Sequence, residues 1–146
     1  GVPTGIQLPG EAKGILRPVE KWAEIDVATH SFGQGVSVTA LQMLQAYAAI
    51  ANGGMLVQPS IVKHPPTAER APRRVLREES AQQIAEILRG VTESEHGTGR
   101  QAAIAGLRVS GKTGTAQKAR TNGKGYDNER ILASFIGDIR RVIMLG

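Results

Sequence analysis

The residue types that could do chemistry gather in Val109-Ser110-Gly111-Lys112-Thr113-Gly114-Thr115-Ala116-Gln117. Residues 107 to 113 alternate. Leu107, Val109, Gly111 and Thr113 fall on one side, and Arg108, Ser110 and Lys112 on the other. That period of two predicts a half-buried strand. Lys112 then shares a face with Gly114 and Ala116, whose side chains are nearly absent, so a ligand can lie close to the backbone. An extended ligand there can pair with main-chain N–H and C=O groups as an added strand does. Thr113 and Thr115 bring hydroxyls alongside. The chemistry implied is an edge strand that binds an extended, anionic ligand.

Three other patterns compete with it. Gly106 to Thr113 fits G-x-x-x-x-G-K-[ST], the phosphate-binding loop. That loop needs a glycine-rich turn and a helix directly after it. Leu107, Arg108, Val109 and Ser110 favour extended chain instead, and Lys118 to Gly125 has no helical period. Ser60-Ile61-Val62-Lys63 fits S-x-x-K, which works when a helix sets the amine one turn beyond the hydroxyl. Pro59 before it and Pro65-Pro66 after it argue against a helix, so the match is read as coincidence, with His64 at the surface. His96 has no acid placed by spacing and reads as surface loop.

The elements that must position the strand come from the rest of the 146 residues, enough for one domain with a modest core. Only 3% of residues are aromatic, so the core is aliphatic. There is no Cys, hence no disulfide and no thiolate metal site. The net charge of +5 reads as a solvated basic face, with capture of an acidic partner as the functional alternative. Nucleic acid is disfavoured, because two Phe, two Tyr and one Trp make few stacking platforms. No apolar run is long enough to span a bilayer and no signal peptide opens the chain. It starts at Gly1 without Met, which suggests an excised piece.

Residues 1 to 26 are rich in Gly and Pro and read as loop, with Trp22 as its packing anchor. Ser31-Phe32-Gly33-Gln34-Gly35 reads as a tight turn that Gln34 holds. Thr39 to Gln42 is a capping box, with Val38 and Met43 as a hydrophobic staple. The helix behind it carries Leu44, Ala48 and Ala51 on one stripe and Met43, Tyr47 and Ile50 on the next, so it should be largely buried. Asn52-Gly53-Gly54 stops it. Met55 to Val62 allows a short strand or two, and 67 to 77 reads as a basic connector. A second helix is capped from Ser80 and aligns Ile84, Ile87, Leu88 and Val91, ending near Thr92. Glu93 to Gly99 is loop, and Ala102 to Ala105 a helical turn. Lys118 to Arg130 reads as a polar loop too long for a tight hairpin. Ile131 to Gly137 is the next strand, antiparallel to the first, and Arg141 to Leu145 a truncated last one.

Lys112-Thr113-Gly114 resembles the K-T-G element of penicillin-binding proteins and serine β-lactamases. The longer Gly111-Lys112-Thr113-Gly114-Thr115-Ala116-Gln117 resembles the class B penicillin-binding proteins, monofunctional peptidoglycan transpeptidases of cell elongation and division. Gly5 to Glu11, Ser31 to Gly35 with Val38 to Gln42, Gly97-Thr98-Gly99, and Ala133 to Gly137 are similar to segments of that family, in its order. The likeness is expected to end after Gly137.

The resemblance implies an α+β fold: part of the penicillin-binding-protein and serine β-lactamase-like transpeptidase fold, an antiparallel sheet of 107 to 117 and 131 to 137 with two helices packed on it. It implies serine acyl transfer on the D-Ala-D-Ala end of a peptidoglycan stem peptide, and acylation by β-lactams. It assigns Lys112 to the proton network and to attracting the terminal carboxylate. Thr113 and Thr115, with Gln117, bind substrate, the Thr115 N–H is an oxyanion donor, and Gly114 keeps the strand open. No cofactor is implied. The nucleophile's S-x-x-K and the S-x-N motif lie upstream in the family and have no credible counterpart here. Residues 1 to 146 are therefore expected to be a partial domain, lacking that N-terminal part and the last strand and helix, and inactive alone. The resemblance places the whole protein at a bacterial inner membrane, its catalytic domain on the periplasmic side, among cell-wall synthesis partners. A sheet cut from its neighbours should pair with another copy by dimerisation or strand exchange.

Overall fold

The structure is a computed structural model that describes residues 1–31, 33, 35–63, 71–120 and 125–141. It forms two compact units, Gly1–Glu86 and Ile87–Gly146. The division falls within one helix.

The first unit holds α1 (Glu24–His30), α2 (Ala40–Ala51), β1 (Met55–Leu56) and β2 (Arg73–Arg74). Thr39 caps α2 as its sequence requires. Its hydroxyl accepts from Gln42 N at 3.1 Å, and Gln42 Oε1 accepts from Thr39 N at 2.8 Å. The other end of the same amide donates to Val2 O and Lys13 O, at 2.7 and 2.9 Å. One side chain thus caps a helix and ties the N-terminal loop to it. Asn52 ends α2, with Gly53 and Gly54 in left-handed backbone.

Several expectations are corrected here. The stretch expected as loop, residues 1 to 26, contains a 3₁₀ turn and the start of a helix. A 3₁₀ turn at Val19–Lys21 leads into α1. Asp26 makes this short helix possible by accepting from Ala23 N at 2.9 Å and pairing with Arg17. The Ala23 N–H first, and the Arg17 charge after it, hold the Asp26 carboxyl below its ordinary range. Trp22 anchors the loop as expected, donating to Arg17 O at 2.9 Å, and its ring lies 4.3 Å from that of His30. The helix expected to be largely buried is half open, with Leu44 55% exposed. The element packed on it is β1, two residues long and too short to cover so wide a stripe. The basic connector contributes β2, antiparallel to β1, because backbone pairing needs no apolar side chains. Phe32, Gln34, His64, Pro65 and Pro66 lie outside the described residues. Ser60 and Lys63 sit in non-helical chain, and the Ser60 hydroxyl is engaged with Val62 N and O.

α3 (Glu78–Glu93) starts two residues before Ser80, which therefore lies inside it. Ala81 N–H reaches Arg77 O at 3.0 Å, and Glu78 and Glu79 in the first turn suit the positive end of the helix dipole. Ala81 is fully buried, Ile84, Leu88 and Val91 are half-buried, and Ile87 stays 72% exposed. The buried stripe is therefore 81-84-88-91, rotated off Ile87.

In the second unit a 3₁₀ turn at Arg100–Ala102 precedes β3 (Leu107–Ala119), which pairs antiparallel with β4 (Tyr126–Arg141). Both strands outrun the apolar pattern. Of the polar loop expected over 118 to 130, the described residues put 118–119 in β3 and 126–130 in β4, but only Ala119 and Tyr126 pair across, after a register shift beyond Gln117 and Ile131, and Arg120 N–H reaches Gly125 O. A two-stranded ribbon can carry charge on both faces while its backbone stays paired. Arg141 lies in β4 opposite Leu107, and the rest of the strand expected over 141 to 145 falls among residues 142–146, which, with 121–124, lie outside the described residues.

Thr39→Ala removes the hydroxyl that accepts from Gln42 N–H and leaves the bonds of the Gln42 side chain in place. Urea unfolding should show a loss of about 1 kcal/mol, and an unchanged midpoint would contradict the role of the Thr39 hydroxyl as the α2 cap.

Candidate functional site

Three contacts fix which way the β3 backbone points. Leu107 N–H donates to Ile104 O at 3.1 Å, the Thr92 hydroxyl donates to Val109 O, and the Lys112 ammonium donates to Thr113 O at 2.9 Å. None of these partners belongs to β4. In a strand, N–H and C=O of one residue point to the same edge, and the edge alternates along the chain. Residues 107, 109 and 113 thus turn their polar backbone away from β4. Gly114 O points the other way and lies 3.5 Å from Ser134 Oγ on β4. By the same alternation Thr115 N–H faces off the ladder. Among the described residues no strand pairs with that edge of β3.

The register sets the faces. Gly111 opposes Gly137, Lys112 opposes Ile136, Thr113 opposes Phe135 and Gly114 opposes Ser134. Lys112, Gly114 and Ala116 share one face, as expected, and Thr113, Thr115 and Gln117 the other. Lys112 and Thr113 therefore do not stand side by side on one surface. They flank the open edge from opposite faces, and the Lys112 ammonium curls onto it at Thr113 O. A strand continuous from Leu107 to Ala119 also disposes of the phosphate-loop pattern, because no helix starts at Thr113.

Phe135 determines how closely the elements behind β3 can approach. A Cβ on Gly111 would overlap its ring, and one on Gly137 would lie 3.0 Å from it. The ring fills the space that this glycine pair leaves, one step diagonal to its own partner Thr113. On the same face Val109 is buried, 4% exposed, under the hydroxyl of Thr92 on α3. The turn after α3 brings Thr98 to Thr113, with hydroxyl oxygens 2.9 Å apart. Sequence reasoning singled out Gly97-Thr98-Gly99 as a turn but missed this contact, since spacing along the chain carries no sign of it. Thr92 was equally silent. His96 is exposed, as expected. Among the described residues no group of His, Asp or Glu could hold a metal ion, and no helix is long and apolar enough to cross a membrane.

Comparison with known proteins gives the family of the chain that carries this strand. The penicillin binding protein transpeptidase domain model matches residues 1–143, and the chain belongs to that family. The likeness therefore runs past Gly137, where the sequence reading ended it. β4 likewise continues unbroken to Arg141. The chain is 45% identical over 147 residues to stage V sporulation protein D of Bacillus subtilis, covering 94% of this chain and 22% of that protein. It is 39% identical over 129 residues to PenA of Neisseria meningitidis, named a probable peptidoglycan D,D-transpeptidase, with 88% and 21% covered. A crystal structure of penicillin binding protein 3 from Mycobacterium tuberculosis, complexed with ampicillin, superposes with a TM-score of 0.80 at 33% identity, over 94% of this chain and 33% of that one. The chain thus spans about a fifth of the length of the first two relatives.

Gly111→Ala should force the Phe135 ring out of its slot and cost about 1–3 kcal/mol, the usual toll of overpacking. Thermal unfolding measures it, and an unchanged midpoint would mean that the ring has room to move.

Proposed function

We propose that residues 1–146 are part of a peptidoglycan D,D-transpeptidase, and that β3 is the wall of its active site that binds the substrate backbone and carboxylate. The observation that carries this reading is the unpaired edge of β3, with the Lys112 ammonium lying on it. A stem peptide ending in D-Ala-D-Ala lies along that edge as an added strand. Its terminal carboxylate is drawn by Lys112 and hydrogen-bonded by Thr113 and Thr115, with Gln117 further along. A serine outside this sequence attacks the penultimate D-Ala carbonyl, the C–N bond to the last D-Ala breaks, and that residue leaves as a free amine. An amine of a neighbouring strand then takes the acyl group and releases the serine. The outward N–H of Thr115 donates to the oxyanion in both steps, a pre-aimed contact of the kind whose removal costs about 10²–10³ in rate. Lys112 organises the proton network, and Gly114 leaves the backbone uncovered for the peptide. β-Lactams follow the first half of the same path.

The nucleophile's S-x-x-K and the S-x-N motif lie on a longer polypeptide, which suits the small share of each relative that this chain covers. That protein works at the outer face of a bacterial inner membrane with other cell-wall synthesis proteins. Residues 1–146 alone are inactive. Ile131, Leu132 and Ile139 of β4 are exposed, and copies of this piece alone associate to cover them.

Fluorescent penicillin tests the reading. The longer gene product should form a covalent adduct, and residues 1–146 alone should form none. A labelled band on 1–146 would place the nucleophile here after all, and an unlabelled longer product would remove the transpeptidase reading. Light scattering of 1–146 should give more than one copy per particle, and a monomer at high concentration would argue against association.

A further inference from the structure

We infer that Thr98 is a positioning residue for this site: it holds the Thr113 hydroxyl in the orientation that donates to a bound anion. The inference rests on the transpeptidase reading of β3.

The Thr98 and Thr113 hydroxyl oxygens lie 2.9 Å apart, and either could be the donor. A hydroxyl carries one proton and two acceptor sites, and its rotor follows its partners. A carboxylate only accepts. When one meets Thr113, the Thr113 proton must go to it, and the Thr98–Thr113 bond survives only with Thr98 donating. The pair then becomes a two-bond chain: Thr98 O–H to Thr113 Oγ1, and Thr113 O–H to the carboxylate. Each bond polarises the other. Without Thr98 the Thr113 rotor has no partner to select that direction, and the polarisation is lost.

The turn carrying Thr98 is built to hold it still. Gly97 N–H donates to Ser94 O and Gly99 N–H to Val91 O, both at 2.9 Å, so the end of α3 fixes the backbone on either side. A Cβ on Gly97 would overlap the Val91 carbonyl. One on Gly99 would lie 3.0 Å from both the Phe135 ring and Val91 Cγ1. Phe135 is the residue paired with Thr113 across the ladder. The glycines on either side of Thr98 are thus seated against Val91 of α3 and against Phe135, the cross-strand partner of Thr113. Close packing on both flanks explains glycine at 97 and 99, and the hydroxyl contact supplies a reason for threonine between them.

The test uses the longer gene product and the second-order rate of acylation by fluorescent penicillin. Thr98→Val keeps the shape and removes the hydroxyl. It should slow acylation roughly three- to tenfold, the worth of one hydrogen bond. Thr98→Ser should recover most of the rate. In a Thr113→Val background, Thr98→Val should add no further loss, because the group it orients is gone. A residue that merely props the turn would cost the same in both backgrounds and lower the unfolding midpoint. Equal losses in the two backgrounds, or a Thr98→Val rate equal to wild type, would overturn the inference and leave the transpeptidase reading standing. A wild-type product that forms no adduct would overturn both.

Discussion

The pairing of Gly111 with Gly137 is the constraint on which the candidate site depends. Two glycines facing each other leave a gap in the sheet surface, and Phe135 fills it from the next position on the same face. The arrangement favours the observed register. A slip by one residue would move every side chain of β3 to the opposite face and drive the Phe135 ring away from its slot. The same ring borders Gly99, so the turn after α3 is set against the sheet by the contact that fixes the register. Within the second unit, the direction of Thr113 and the placement of Thr98 both follow from this one packing event.

Polarity at the site comes from the edge of the sheet more than from either face. Alternation separates Lys112 from Thr113 and Thr115, which would weaken a site laid on a flat surface. At an unpaired edge the separation becomes useful: a chain lying in the plane of the sheet meets the cation from one side and the hydroxyls from the other. The backbone groups that point outward are those of the odd-numbered residues, Thr115 N–H among them. In the proposed reading, charge attraction, hydroxyl donation and backbone pairing converge along that edge.

The first unit shows where reading by pattern succeeds and where it slips. Thr39 to Gln42 was legible as a cap because the motif is local and its geometry is fixed by three intervening bonds of helix. The N-terminal tether made by the same Gln42 was not, because Val2 and Lys13 lie far off in sequence. α1 was missed, since its apolar residues Ile25 and Val27 follow no buried stripe and its start is made by Asp26 accepting from Ala23. The beginning of α3 was placed three residues late, Ser80 being a better cap by type than the Arg77 that precedes the helix. The extended chain at 118–119 and 126–130 was taken for loop because period and hydrophobicity fade there and the pairing shifts register.

The extended character of residues 107 to 117, the cap of α2 and the family likeness were determined by sequence alone, because each rests on neighbours a few positions apart or on strings specific enough to stand by themselves. Tertiary structure decided the rest. It chose the register, sent the odd-numbered backbone groups outward, folded Lys112 onto the edge, and set Thr98 against Thr113. Those outcomes depend on which surfaces meet, and contacts across 15 or 24 positions, as between Thr98 and Thr113 or Gly111 and Phe135, leave no period in a chain.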